Sequence, residues 1–320
     1  MNTAEWYRRF ARLEAHGSSP LYELLSTGIA EDAEILALID RLPEHKRQPN
    51  LVLGAARHHG GPADSYASFR TWVLSNWTTL KQAVLARSTQ TNEAGRVAVL
   101  LPLLGLLRGR LSLIEVGASA GLCLLPDRYS YLYDEAHRID PETGPSPVQL
   151  ACATTGNPPL PDRLPTIAYR AGIDLHPLDV TDHDDMAWLD SLVWPEHHSR
   201  RERLHRAAAI AREEAPHLIR GDLNADIADL VRQAPADTTV VVFHSAVLNY
   251  LDADARAAFQ DTVEALPCQW IANEGPGVLP NITRRLAIPV EQIGGRFVLS
   301  FNGRPVALTG GHGQTLDWIG

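Results

Sequence analysis

One stretch constrains the fold more than any other: SLIEVGASAGLCLL, from Ser112 to Leu125. Leu113, Ile114 and Val116 form an apolar run that carries an acid, Glu115, near its end. The run breaks into Gly117-Ala118-Ser119-Ala120-Gly121 and resumes as an apolar, helix-compatible segment. That succession predicts a buried strand, a tight turn and the first turn of a helix. Glycines in such a turn let backbone N–H groups come close to a ligand, and the helix N-terminus favours negative charge there. A nucleotide-like cofactor is therefore one expectation. The same letters also spell G-x-S-x-G, the turn that exposes a nucleophilic serine in hydrolases.

The chain changes character at this stretch. Up to about residue 110 the apolar residues repeat at helical spacing, as in Trp6, Phe10 and Leu13, then Ile35, Leu38, Ile39 and Leu42, and Trp72, Val73, Asn76, Trp77 and Leu80 suggest another helix. The longest apolar run, Val97 to Leu107, contains Pro102 and is too short to span a bilayer, so it is expected as a core helix. From residue 111 strands and helices alternate. After the first strand and its helix comes a proline-rich insertion at about 135–165, with a loop or small hairpin around Val148-Gln149-Leu150. The next strand is Ile167 to Ile173, ending in Asp174. Ser199-Arg200-Arg201-Glu202 reads as a capping box that opens an alanine-rich helix reaching Pro216. His217 to Asp222 reads as a short strand ending in an acid, with Asn224 capping the helix after it.

Thr239 to Phe243 is the clearest buried parallel strand. A helix from Asp252 to Leu266 and a fifth strand, Gln269 to Ala272, follow, with Asn273-Glu274-Gly275 at its end. Arg296 to Ser300 and Pro305 to Thr309 flank Asn302-Gly303 and predict a hairpin. The expected fold is α/β. A helical N-terminal domain (1–110) precedes a doubly wound, mostly parallel, Rossmann-like sheet (111–320) that a C-terminal antiparallel hairpin closes.

The formal charge of −9 over 320 residues argues against a nucleic-acid partner, because phosphate binding needs a basic surface. Cys123, Cys152 and Cys268 lie far apart, and the His58-His59 and His197-His198 pairs lack the i, i+4 spacing of a helical metal site, so no metal is expected. The N-terminus carries no apolar h-region. The expectation is a soluble, cytoplasmic protein with buried thiols and a small-molecule substrate, with no membrane partner.

In an open parallel sheet, ligands sit beyond the carboxyl ends of the strands. Three predicted strands end in an acid there: Glu115, Asp174 and Asp222. Together with the glycine loop and the closing hairpin, these resemble the class I S-adenosylmethionine-dependent methyltransferases. The resemblance implies S-adenosylmethionine as cofactor, held at Glu115, Gly117, Ala118, Ser119 and Gly121. It also implies Asp174 on the ribose and Asp222 on the adenine. The loop departs from that family's pattern at Ala118-Ser119-Ala120, where another glycine is usual. Across nearly its whole length the chain also resembles an uncharacterised bacterial family known as a domain of unknown function (number 2332). The segments that carry this likeness are Thr89 to Glu93, the glycine loop, Gly172 to Asp179 and Val242 to Ser245.

The candidate catalytic groups are His244, a general base at the end of the fourth strand, and Glu93. Asn92 and Glu93 also fit helix-start chemistry, and His244 fits a histidine satisfied by loop backbone. Gln90, Asn92, Tyr250, Glu274 and His312 are candidate substrate contacts. Two alternatives stay open. In an α/β-hydrolase, Ser119 would be the nucleophile, Glu274 or an aspartate the acid, His312 the late histidine and His59-Gly60-Gly61 the oxyanion loop. The other is a ligand-binding protein of methyltransferase fold without turnover.

Overall fold

The computed structural model describes residues 1–90 and 92–320; Thr91 lies outside the described residues. The chain divides into two units, one of residues 1–90 and 181–202, the other of Asn92–Val180 and Arg203–Gly320. The boundary falls at residue 91 rather than near 110, and the excursion at 181–202 belongs with the N-terminal helices.

Helices α1 (Thr3–Phe10), α2 (Pro20–Glu31), α3 (Ala33–Ile39), α4 (Pro49–His58) and α5 (Tyr66–Ala86) lie in the first unit. The second holds α6 (Val97–Gly105). Helix α7 (His183–Leu192) returns to the first, and α8 (His198–Glu213) starts there and runs into the second, which also holds α9 (Leu223–Arg232), α10 (Ala253–Ala265) and α11 (Pro280–Thr283). Helix starts follow local chemistry. Asn2 and Glu5 form a reciprocal cap on α1, and Asp32 caps α3. The predicted inward face of α1 is displaced: a wide turn over Ala11–Ala15 follows it, Tyr7 and Phe10 are buried, and Leu13 projects outward, 61% exposed. Helix α8 begins at His198, so Ser199 lies inside it rather than ahead of it. No helix among the described residues is long and apolar enough to cross a membrane.

Helix α6 is buried from Val97 to Leu104. Pro102 removes the N–H that would bond the Ala98 carbonyl, and the Tyr133 hydroxyl takes that place at 2.7 Å.

Among the described residues the second unit carries an eleven-stranded sheet: β1 (Leu111–Val116), β2 (Ser130–Tyr133), β3 (His137–Ile139), β4 (Gln149–Thr155), β5 (Ile167–Asp174), β6 (His217–Arg220), β7 (Thr239–Ser245), β8 (Gln269–Glu274), β9 (Phe297–Phe301), β10 (Arg304–Thr309) and β11 (Thr315–Trp318). The order is β3-β2-β4-β11-β10-β9-β8-β7-β1-β5-β6. Strands β6, β5, β1, β7 and β8 are mutually parallel, and β9 runs antiparallel to β8 and to β10. The insertion is not a loop. Strands β2 and β3 form an antiparallel hairpin, and β4 joins β2 to β11, so the insertion lengthens the sheet.

The helix expected after β1 is replaced by two single 3-10 turns, Leu122–Leu124 and Pro126–Arg128. Leu122, Cys123, Leu124 and Leu125 are all buried, so the segment has no polar face to offer solvent, and Pro126 stops its continuation.

Side chains alternate across the sheet. Ile114 and Val116 of β1, Val242 of β7 and Trp270 of β8 share one face, packed with Ile227, Leu230 and Phe259 of α9 and α10. In-register Glu115 and Phe243 share the other face, and so does the pair Ser245 and Asn273.

Candidate functional site

The loop after β1 is stitched to β5 by its own amides. Gly117 and Ala118 donate N–H to the Ile173 carbonyl at 2.8 and 3.1 Å, Ser119 N–H to Asp174 Oδ2 at 2.8 Å, and Gly121 N–H to the Ala118 carbonyl at 2.7 Å. Asp174 Oδ1 accepts the His176 N–H at 2.8 Å. Gly172 makes this approach possible, since a Cβ there would overlap Ala118. Asn92 fastens the loop from the other side: its Oδ1 accepts the Leu122 N–H at 3.2 Å and its Nδ2 donates to the Ala118 carbonyl at 3.5 Å. These four amides face neighbouring chain, and the helix N-terminus expected behind the loop is not formed.

Side-chain atoms remain. Ser119 is left-handed at φ 51, and its buried Oγ has no hydrogen-bond partner. Glu115 is 7% exposed, and its Oε2 likewise lacks a partner. Burial holds its carboxyl far above the usual carboxylate range, against the Cys123 thiol and the Arg96 charge, which favour ionisation. Gly117, φ +71, lies against Val247: a Cβ there would overlap that side chain, so the loops after β1 and β7 touch. A substitution at Gly117 consequently disturbs packing before it reaches any ligand.

On the Glu115 face, Thr309 Oγ1 donates to Asn273 Oδ1 at 2.7 Å and Asn273 Nδ2 to Ser245 Oγ at 3.1 Å. Arg96 is buried and holds the Ser245 carbonyl through Nη1 and the Gly311 carbonyl through Nε, both at 3.0 Å. Ala246 follows in the left-handed region, φ 57. Ser245, Asn273, Thr309 and Arg96 were not among the expected site residues. Ser245 and Asn273 stand one position away from the chosen His244 and Glu274, on the opposite face.

His244 does not fit the general-base role. It is fully buried, and the Trp270 Nε1–H donates to its Nε2 at 3.0 Å. An indole nitrogen only donates, so Nε2 accepts and Nδ1–H is given to Glu274 Oε1 at 2.7 Å. Glu274 Oε1 also accepts the Val247 and Leu248 N–H groups at 2.9 and 3.1 Å. Both ring nitrogens are thus spent on side chains of β8, so the histidine is satisfied within the sheet and not, as the alternative had it, by loop backbone.

Glu93 does what its position before α6 suggests. It caps the turn Ala94–Arg96, its Oε1 accepting the Gly95 N–H at 3.0 Å and the Arg203 Nε–H at 2.7 Å. The turn holding His312 packs backbone to backbone on Gly95, where a Cβ at Gly313 would overlap the Gly95 carbonyl. His312 therefore lies beside Glu93 and Arg96. Asp222 is exposed and caps α9 through the Asn224 and Ala225 N–H groups, at 2.9 and 3.2 Å. It takes the capping role expected of Asn224, whose Nδ2 instead donates to the Ala255 carbonyl at 3.1 Å. Tyr250 is 62% exposed in the 3-10 turn Leu248–Tyr250 after β7. Gln90 belongs to the first unit and His59-Gly60-Gly61 does too.

The hydrolase triad is not assembled. Ser119 Oγ has no base on it, and Glu274 engages His244 rather than His312. No curated protein and no solved structure matches the chain. A family model does, over residues 4–61 and 57–318. The chain belongs to the family described as "Uncharacterized protein conserved in bacteria (DUF2332)".

Proposed function

We propose that the crevice beyond the carboxyl ends of β1 and β7 binds S-adenosylmethionine and that the protein passes its methyl group to a small molecule. The observation that carries the reading is a pair of non-glycine residues in the left-handed region, Ser119 and Ala246, one in each of the loops that follow β1 and β7. Such residues cost about 1–3 kcal/mol each and gather at ligand sites. The parallel strands β6-β5-β1-β7-β8 correspond to the order 3-2-1-4-5 of a Rossmann-like sheet, which reverses between β1 and β7. Ligands bind at that reversal.

The residues fit this cofactor better than a phosphorylated one. A pyrophosphate needs unspent amides and a helix N-terminus, whereas here the loop amides already bond Ile173, Asp174 and Ala118. A sulfonium nucleoside carries no phosphate and asks instead for side-chain groups. Ser119 Oγ and Glu115 Oε2 are buried and unpartnered, and the half-buried Asp174 accepts one N–H on each oxygen, which leaves lone pairs for ribose hydroxyls. When bound, S-adenosylmethionine supplies an electrophilic methyl group. The chain's own part is to hold and orient it with Ser119, Glu115 and Asp174.

Calorimetry with S-adenosylhomocysteine tests the reading. Saturable binding that Ser119→Ala weakens without abolishing is expected, with no labelling of the wild type by a serine-directed fluorophosphonate. Stoichiometric labelling of Ser119, or no heat with either S-adenosyl compound, overturns it.

A further inference from the structure

The hydrogen bonds on the Glu115 face run in one direction. Once Asn273 Oδ1 takes the Thr309 proton, Asn273 Nδ2 is left to donate, and it does so to Ser245 Oγ. The Ser245 hydroxyl therefore receives one donation and has its own O–H to give. Thr309 and Asn273 are wholly buried, while Ser245 is half-buried, so the chain of donors begins in the core and ends at a residue only partly covered. Hydrogen bonds in series polarise one another and strengthen the last donor.

Ser245 is also fixed in place. Arg96 holds its carbonyl at 3.0 Å, and the next residue, left-handed Ala246, ties its N–H to the Asn273 carbonyl at 3.1 Å. Across the contact between Gly117 and Val247 stands the loop of Ser119, whose buried hydroxyl has no partner.

We propose that Ser245 is a ligand-binding residue whose hydroxyl donates to the carboxylate of a small molecule seated between the loops after β1 and β7, with Ser119 giving the second O–H. The proposal rests on reading this crevice as the ligand site, and not on the identity of the cofactor. An oxygen acceptor fits the Ser245 O–H, which the buried Arg96 guanidinium backs through the Ser245 carbonyl. Burial keeps the Glu115 carboxyl protonated well above its usual range, so it presents no anion to an ammonium group.

Two probes with one carbon skeleton, 3-phenylpropionate and 3-phenylpropylamine, separate the possibilities by saturation-transfer NMR on the full chain. The carboxylate is expected to bind the wild type and the amine not. Ser245→Ala, a small change that keeps the fold, weakens the carboxylate roughly ten- to a hundredfold. Asn273→Asp puts an acceptor where Nδ2 stands, turns the Ser245 O–H inward and weakens it similarly. Thermal melts of both variants confirm that they fold. A wild type that takes up no carboxylate, or that binds the amine as well, overturns the proposal. Unchanged carboxylate binding in Ser245→Ala or in a folded Asn273→Asp does so too. Ser245-dependent carboxylate binding without any S-adenosylhomocysteine binding defeats the cofactor reading and leaves this one standing; the reverse result defeats this one alone.

Discussion

Two hydrogen-bonded chains leave the carboxyl ends of β7 and β8 on opposite faces of the sheet. On one face Trp270 donates to His244 and His244 to Glu274, whose Oε1 also collects two loop amides. On the other, Thr309 donates to Asn273 and Asn273 to Ser245. The first chain closes on the protein's own backbone and holds the turn after β7. The second ends on a half-buried hydroxyl with a proton left to give. Composition favours the first as a catalytic centre, since it contains the histidine and the carboxylate. Connectivity assigns it to stability and leaves ligand contact to the second. A titratable residue is thus a poor guide to a site until the partners of each of its atoms are known.

The largest expected effect breaks the closed chain. Glu274→Ala strips the acceptor from His244 Nδ1–H and from the Val247 and Leu248 amides. Each buried donor left unpaired costs about 1–3 kcal/mol. Urea denaturation should therefore show a loss of several kcal/mol, by this principle. A loss below about 1 kcal/mol would mean that the chain is not closed as described.

A second effect concerns the other face of the sheet, where Glu115 stands. Glu115 keeps its proton in the folded protein at pH values where the unfolded chain has released it, above the ordinary value of 4.5. The folded state then binds more protons than the unfolded one, and stability falls as pH rises from there toward the elevated folded value. The slope approaches at most about 1.4 kcal/mol per pH unit. Glu115→Gln removes it. Denaturation midpoints of both proteins between pH 5 and pH 8 should diverge with rising pH, in favour of the variant. A constant difference across that range contradicts the protonated state.

The smallest effect concerns Asp222. As a helix cap its replacement by alanine costs about 0.5–2 kcal/mol of stability and leaves S-adenosylhomocysteine affinity unchanged. A selective loss of affinity, measured by calorimetry, would return Asp222 to the adenine.

The strands were legible because their apolar runs are short, rich in β-branched residues and bounded by acids and glycines. Thr239–Ser245, with Thr239 and three consecutive valines, is an example of the first feature, and Gln269–Glu274, which ends in an acid before Gly275, of the second. The hairpin around Asn302-Gly303 was legible from its turn residues. The segment after β1 was not: its apolar letters suit a helix, but four consecutive buried residues and Pro126 leave only single turns. The strand character of residues 130–155 was hidden because β2 and β4 pair with each other and with a strand at the far end of the chain. Within the site, Glu115 and the glycine loop stood out by type and spacing. Ser245 did not, because period-two alternation places it and His244 on opposite faces, and nothing in the letters says which face is accessible.

The most direct measurement is a crystal structure of the protein grown with saturating S-adenosylhomocysteine. The ligand is expected between the loops Gly117–Gly121 and Ser245–Val247, with its ribose at Asp174 and the Ser119 and Ser245 hydroxyls on ligand oxygen. A ligand bound on the His244 face, or in the helical unit, with the crevice between β1 and β7 untouched, would contradict the assignment.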